Sequence, residues 1–377
     1  MNYCEMQLVD VVNIKTGKLN SNAAVEKGEY PFYTCAPSPL RIDKYKYDQA
    51  AILLAGNNAE GNFHINYFEG KFEAYQRTYI IDSKNEDKYD LKYLFYALKE
   101  CLHEFKLMSQ GTSTKFLTMA ILNGFKLNIP DINEQRKIAG ILSSLDQKIS
   151  NNEAINRNLL DQGRVLYEEL IAGYEVNSKL GDLIKSIETG KRPKGGAQEV
   201  GVPSIGAEKI ECFGVYNYST EKFIDDDFYR NLKKGHVLSG DVLLYKDGAY
   251  TGKTSMALDG FPHEKCAINE HVYKLNTLNN LYQFFLYFTL DNDKIKDYIY
   301  TLASSKAAQP GLNQNELRSV DIVLPEESVL LEFENRVSDM MHLIASNAKE
   351  SRSLSIIRDT LLPKLMSGEL DVSELEV

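Results

Sequence analysis

The side chains that could do chemistry sit in loops, not in a compact catalytic cluster. In the first third of the chain they are Lys18, Asn57, Asn58, Tyr75, Gln76 and Arg77. A Ser/Gly/Thr-rich segment follows, with Ser109, Gln110, Thr112, Ser113 and Lys115. In the second half they are Lys191, Arg192, Lys194, Lys246, Tyr250 and Lys253. A second polar loop there holds Ser304, Ser305, Lys306 and Gln309. Arg, Lys, Asn, Gln, Ser and Thr are the residues that read base edges in a major groove, whereas Lys, Arg, hydroxyls and backbone N–H groups hold phosphates. Glycines among them let the backbone come close to a phosphate. For any single residue a solvated loop side chain is the competing explanation; the clusters carry more weight than their members.

Other chemistries find less support. GAYTGKT, Gly248 to Thr254, is one residue short of the phosphate-cradling GxxxxGK[ST] loop and lacks a βαβ context. Asp131 and Asp146-Gln147-Lys148 imitate a nuclease set, but metal-assisted cleavage needs carboxylates converging on one ion. These two lie on one helical stretch, about 20 Å apart by helical rise, and a second copy of the stretch has Glu326 and Met341-His342-Leu343 instead. The six histidines show no metal-ligand spacing. There is no Gly-rich loop after a strand for S-adenosylmethionine, and no Asn/Asp-Pro-Pro-aromatic tetrapeptide to hold a flipped base. The expectation is a chain without catalytic residues, metal or cofactor of its own.

Composition sets the frame. The 377 residues, 43% hydrophobic and 25% charged, suit a soluble globular protein with two or three cores. No run of 18 apolar residues predicts a membrane helix. The start, MNYCEMQLVD, lacks the basic and apolar regions of a signal peptide. Five widely spaced cysteines without a CxxC read as reduced thiols, which points to the cytoplasm. A net charge of −10 argues by itself against nucleic acid. Summed charge governs solubility and non-specific binding, however, not one concave face. It predicts that the free chain binds DNA poorly and that a partner supplies basic charge.

The elements that position these loops come from a duplication. Ile129 to Gly173 aligns without gaps to Leu324 to Gly368, at an offset of 195. Extended back to Ser109/Ser304, twelve of 65 positions are identical, where ordinary composition gives roughly four. Both copies read as long helices, with Pro130 and Pro325 at their starts and Gly173 and Gly368 at their ends. Ile138, Leu145, Asn152, Leu159 and Leu166 keep a seven-residue step in the first copy. Phe333, Met340, Asn347, Leu354 and Leu361 keep it in the second. Such steps specify a coiled-coil seam, and a lone Asn in it fixes register; an ordinary surface Asn is the alternative for Asn152 and Asn347. An antiparallel pair with these two at its centre predicts contacts between residues whose numbers sum to about 499, placing Leu145 near Leu354 and Leu159 near Met340, within half a heptad.

The globular stretches repeat as well. NIKTGK is matched by KSIETGKRPKGG, GEYPFYTCA by GVPSIGAEKI, AAILLAGNN by GDVLLYKDG, and FEAYQRTYII by CAINEHVYKL. Ala50 to Gly56 reads as a buried strand, and FHINYFEGKFEAYQRTYII as a β-hairpin turning at Glu69-Gly70. Asp87 to Met108 reads as one helix, as does the aromatic-rich run from Leu278 to Ser304. Scaffold words match while loop words differ. Two units of one fold that read different ligands would look like this, and so would simple drift after duplication.

LNIPDINEQRKIAGILSSLDQKI, following the Ser/Gly/Thr-rich segment and repeated half a chain later, resembles the specificity subunit of Type I restriction-modification enzymes. The resemblance implies an α/β (α+β) fold of two target-recognition domains, 1–128 and 174–323. Two long antiparallel spacer helices, 129–173 and 324–368, would form a coiled coil about a pseudo-twofold axis, leaving a tail at 369–377. It implies a non-catalytic subunit that reads a bipartite target in double-stranded DNA across a gap of fixed length. A separation near one helical turn, about 34–36 Å, would put both readers on one side of the duplex. It also implies that two modification (methyltransferase) subunits dock on the helices, bring S-adenosylmethionine and flip an adenine in each half-site. Restriction-translocation subunits can join them. The second copy departs from the family's Glu-Gln pair at Glu134-Gln135, reading Val329-Leu330, which puts a general role for those two side chains in doubt. The competing class is a two-headed scaffold that binds proteins or carbohydrate through the same loops.

Overall fold

The computed structural model describes residues 3–305 and 311–373. The chain is mixed α/β and forms two compact units: residues 1–147 with 355–377, and residues 148–354. Each long helix, Ile132–Ile171 and Glu327–Ser367, contributes one part to each unit.

Unit 1 is built on a six-stranded sheet in the order 12–16, 78–83, 47–55, 65–74, 30–33, 40–42. All neighbours are antiparallel except Tyr30–Tyr33 and Ile65–Ala74, which run parallel. Tyr47–Ala55 is the buried centre, with Ala51 to Ala55 almost wholly covered. Ile52 and Leu54 pack with the helices Leu91–Glu100 and Leu102–Met108, while Ala51 and Leu53 face a second core with Phe72 and Ile80. The hairpin expected at Glu69-Gly70 is absent. Ile65–Ala74 is a single strand that stays in register with its neighbour through Gln49↔Gly70. Gly70 takes φ +129, so it continues the strand where a turn residue was read. The helix read over Asp87 to Met108 is two helices. Asp90 caps the first by accepting from the Tyr93 N–H, and Cys101 breaks the pair at ψ 3°.

Unit 2 has the same plan with shorter strands. A four-stranded antiparallel sheet runs in the order 184–189, 272–277, 242–245, 254–256. Beside it lies a three-stranded sheet in the order 223–224, 202–205, 267–268. The parallel pairing recurs, with Ser204↔Ala267 standing where Phe32↔Glu73 stands in unit 1. The aromatic-rich run is also two helices, Gln283–Asp291 and Asp293–Ser304. Asn292 interrupts it, and its side chain accepts from the N–H groups of Lys294 and Ile295.

The long helices run antiparallel within each unit. In unit 2, Asn152 Nδ2 donates to the Asn347 carbonyl at 3.5 Å and to Glu350 at 2.7 Å. Asn156 Nδ2 donates to the Ile344 carbonyl at 3.1 Å, and Asn347 Nδ2 to Asn156 Oδ1 at 3.0 Å. All three asparagines are 9% exposed or less. In unit 1, Arg358 holds Asp146 at 2.6 Å, and Tyr96 donates to the same carboxylate at 2.7 Å. The seam drifts from the heptad read in the sequence. Ile138, Asn152, Phe333 and Asn347 are buried, but Leu145, Leu159, Leu166, Met340, Leu354 and Leu361 are only half-buried. Leu160, Tyr167, Met341 and Leu362 take the covered positions. A straight helix rotates about 20° per heptad away from a seven-residue repeat. In unit 2 aromatic rings capture the drifting face: Tyr167 packs on Phe285 of the globular part and on Phe333 of the other long helix, and Gly163 faces the Phe288 ring.

The helix starts are tied to the globular parts differently in the two copies. In unit 1 Gln135 accepts from the Asp90 N–H and donates to the Lys88 and Pro130 carbonyls. Leu330, at the equivalent position, is simply buried. One turn later Glu334 does the tying, accepting from the N–H groups of Phe285 (2.6 Å) and Phe284 (3.3 Å) at the start of Gln283–Asp291.

Two outcomes follow. A Cβ placed on Gly17 would lie 2.1 Å from the Ala74 carbonyl oxygen, and one on Gly190 1.5 Å from that of Ile268. Gly17→Ala or Gly190→Ala will therefore lower unfolding free energy by about 3 kcal/mol in chemical denaturation, while Gly173→Ala, which meets nothing within 4 Å, will not. Burial pushes the Glu334 carboxyl up to about 7 from 4.5. A carboxyl raised on folding stabilises fully below its unfolded value and loses that contribution as pH rises through the folded one. The stability advantage of Glu334→Gln over the parent chain should therefore grow between pH 4.5 and 7; parallel pH profiles would refute this.

Candidate nucleic-acid interface

In unit 1 the buried strand Tyr47–Ala55 delivers Gly56, Asn57 and Asn58 to its end. The turn Tyr75 to Arg77 leads into Thr78–Ser83, whose first residue pairs with Ala55. The Gly56 N–H donates to the Arg77 carbonyl at 2.8 Å, and the Leu117 N–H to the Gly56 carbonyl at 2.9 Å. Tyr79 closes the frame by donating its hydroxyl to the Leu117 carbonyl at 2.7 Å. Gly17 enters from the first strand and abuts Ala74, although two strands separate their own strands in the sheet order. The sheet must be strongly curled to allow that.

The predicted residues of unit 1 gather on this frame. Asn57 and Asn58 pair with Phe116 and Lys115, and Gln110 bridges to Phe116. Leu19, next to exposed Lys18, bridges to Tyr75. The Arg77 guanidinium lies 5.1 Å from the Phe116 ring centroid. Thr16, Gln76, Arg77, Phe116, Thr118 and Met119 are among the residues lining a cleft of about 360 Å³. Asn57 Oδ1 is buried with no hydrogen-bond partner among the described residues. Thr112 and Ser113 are exposed in the loop between Gln110 and Lys115, and Ser109 instead donates to the Lys106 carbonyl behind it. Lys18, Arg77 and Lys115 have no ion pair among the described residues.

Unit 2 repeats the frame bond for bond. The Lys246 N–H donates to the His271 carbonyl at 3.2 Å, the Leu312 N–H to the Lys246 carbonyl at 2.9 Å, and the Tyr273 hydroxyl to the Leu312 carbonyl at 2.9 Å. The Asn269 N–H donates to the Ile205 carbonyl as that of Tyr75 does to Tyr33. Gly190 abuts Ile268 as Gly17 abuts Ala74. The frame thus equates Gly56 with Lys246, Asn57 with Asp247, Tyr75 with Asn269, Gln76 with Glu270, and Arg77 with His271.

The side chains on it differ, and in unit 2 Arg192, Lys246 and Lys253 are already paired. Arg192 Nε meets Glu270 at 3.0 Å; Lys246 meets Asp247 at 2.5 Å and lies 5.5 Å from the Tyr273 centroid. Lys253 meets both Glu211 oxygens, at 2.8 and 2.9 Å, and lies over the Tyr250 ring at 4.7 Å. His271 sits between Asp247 (3.2 Å) and Glu270 (3.4 Å). Lys191 and Lys194 are exposed, and Tyr250 is 62% exposed. Ser304 ends its helix, and Ser305 turns back to the Leu302 carbonyl. Lys306 and Gln309 lie outside the described residues. Asp247, Asn269, Glu270 and His271 are not among the residues picked from the sequence, although the match of CAINEHVYKL to FEAYQRTYII contains the last three.

Asp131 is the cap of the first long helix, accepting from the Asn133 and Glu134 N–H groups, and Asp146 is held by Tyr96 and Arg358. Among the described residues no group of three His, Cys, Asp or Glu could hold a metal ion. GAYTGKT is a turn between strands Val242–Tyr245 and Thr254–Met256, with no helix after it to receive a phosphate. No helix among them is long and apolar enough to cross a membrane.

The shared frame generates one outcome. Burial raises the phenol of Tyr79 and pushes that of Tyr273 up to about 12, so both remain donors. Tyr79→Phe and Tyr273→Phe should each cost about 1 kcal/mol of stability and speed amide exchange at Leu117 and Leu312 respectively. Unchanged exchange would show that the hydroxyl does not hold the frame.

Comparison with known proteins places these observations. Residues 2–160 match the family described as the Type I restriction modification DNA specificity domain. The Escherichia coli Type I restriction enzyme EcoDI specificity subunit is 33% identical over 40% of this chain, a match that spans 32% of that subunit's length. The MjaIX specificity subunit of Methanocaldococcus jannaschii is 25% identical over 75% of this chain and 70% of its own. The crystal structure of the Type I restriction-modification S subunit from M. genitalium shares the fold, with a TM-score of 0.63 at 20% identity, over 97% of this chain and 96% of that one. Residues 2–160 thus match the Type I restriction modification DNA specificity domain, and the chain that carries them is similar in sequence to a Type I specificity subunit over 75% of its length.

Proposed function

We propose that this chain is the non-catalytic subunit that gives a Type I restriction-modification enzyme its DNA sequence specificity, working in the cytoplasm. Unit 1 reads one short half-site of a double-stranded target and unit 2 the other. The long helices act as a ruler, so the two half-sites are separated by a gap of fixed length and unread sequence. Two modification subunits dock on the helices and bring S-adenosylmethionine and the methyl-transfer chemistry; restriction-translocation subunits join the same assembly.

The observation that carries this reading is the repeated frame. A binding surface needed twice, for two different sequences, calls for one rigid backbone arrangement and two sets of side chains. Gly56, Gln76 and Arg77 on one copy and Lys246, Glu270 and His271 on the other are such sets. The paired cations of unit 2 and the net charge of −10 favour weak binding by the free chain and tighter binding once basic partners are added.

The test is enrichment from random duplex pools by the chain co-expressed with its modification subunits. A two-part motif with a constant gap is expected, and no enrichment would leave the two-headed scaffold as the better reading. Inserting four residues, about one helical turn, after Asn151 should change the gap while leaving both half-sites as they were. Altered half-site bases at an unaltered gap would count against the ruler.

A further inference from the structure

Resting on that reading and deepening it, we propose that the two units read different base pairs from the same corner of the shared frame, where the turn meets the Thr-Gly-Lys entry. Arg192, positioned by Glu270, reads a guanine in the half-site of unit 2, and Gln76 reads an adenine in the half-site of unit 1.

The equivalence is structural. Gln76 and Glu270 occupy the same place in the turn that the frame fixes on both sides, between the N–H of Tyr75 or Asn269 and the carbonyl of Arg77 or His271. The residue that follows the Thr-Gly-Lys entry is Leu19 in unit 1 and Arg192 in unit 2. In unit 2 this brings a guanidinium to a carboxylate. Arg192 Nε forms an ion pair with Glu270 Oε1 at 3.0 Å, while the same oxygen lies 3.4 Å from His271 Nε2.

A guanidinium paired at its Nε edge leaves both terminal nitrogens without a hydrogen bond among the described residues. That is the fork that matches guanine O6 and N7. The carboxylate also keeps a long side chain from searching its rotamers, so less entropy is lost on binding. Arg192 is about half exposed, as a reader must be. Glu270 Oε2 is buried without a partner among the described residues. The other oxygen, Oε1, is the one turned to Arg192, so Glu270 acts through Arg192 as a positioning residue.

In unit 1 neither half of this pair exists. Leu19 offers no donor, and Gln76 is an exposed neutral amide with no partner among the described residues. An amide carries one acceptor and one donor side by side, which is the complement of adenine N6 and N7.

The experiment uses the full chain co-expressed with the modification subunits, first in pool enrichment and then in competition with single-base variants across a salt series. Arg192→Ala should flatten the preference for guanine at one position of one half-site by roughly 10- to 100-fold, with the other half-site unchanged. Glu270→Gln should weaken the preference at that same position and no other. Gln76→Ala should remove an adenine preference in the other half-site. The proposal is overturned if Arg192→Ala weakens all sequences equally and lowers the salt slope by about one, which marks a phosphate contact, or if the base released is not guanine. It is overturned for unit 1 if Gln76→Ala leaves its half-site intact. A parent chain that enriches no two-part motif would instead bring down the functional reading beneath it.

Discussion

Three buried amides fix where the two long helices meet. The Asn347 side chain donates to that of Asn156, and Asn156 and Asn152 donate in turn to the Ile344 and Asn347 carbonyls; all three are buried. An apolar seam alone tolerates slips of a heptad, because leucine meets leucine again. A buried amide does not, since leaving it unpaired costs about 1–3 kcal/mol. Three in one layer therefore select a single register. Glu350, which takes a second bond from Asn152 and an ion pair from Lys148, marks the same register from the solvent side. Whatever a helix pair of this kind is used for, its length is defined only because its register is.

The second constraint is local to each unit and occurs twice. A glycine pressed against a carbonyl, a backbone N–H bonded to the turn, and a tyrosine hydroxyl bonded to the chain returning from the polar loop make a frame with no side-chain freedom at its joints. Because those bonds come from backbone atoms and two tyrosines, the residues carried on the frame can change without disturbing it. Gln76 and Glu270, or Arg77 and His271, differ in charge and shape on the same backbone path. Specificity and stability are thereby assigned to different atoms, which is the arrangement a duplicated reader needs.

Much of this architecture is legible in the sequence because it is written in local patterns. The offset of 195, the prolines before and glycines after each long helix, and the matched scaffold words require only the chain itself. What is not legible depends on partners distant in sequence. The Glu-Gly pair at 69–70 looks like a turn until the register with Tyr47–Ala55 carries the strand through it. The heptad predicts Leu159 and Leu166. The covered residues are Leu160 and Tyr167, because Phe285, Phe288 and Phe333 bury the face to which a 3.6-residue helix has rotated. Glu334 replaces Gln135 as the tie to the globular part only once the helix it caps is in place. At the candidate site, basic residues are easy to pick, but the acids that hold them are 78 and 42 positions away in the pairs Arg192–Glu270 and Lys253–Glu211.

Those acids bear on how a chain with net charge −10 could handle a polyanion. Between groups this exposed an ion pair is worth only about 0–1 kcal/mol, so Glu211 and Glu270 orient their cations without adding much to the stability of the fold. Their effect is on the field: each cancels a positive charge at long range while leaving donor geometry intact at contact distance. Non-specific attraction, which scales with net positive charge near the phosphates, is reduced, whereas hydrogen bonds to base edges, which depend on orientation, are not. Unit 1 places Lys18, Arg77 and Lys115 around its frame without such partners among the described residues, and on the proposed function it would lean more on attraction. The two units would then differ in how they balance grip against discrimination as well as in the bases they prefer, and that difference follows from which charges are paired on the same frame.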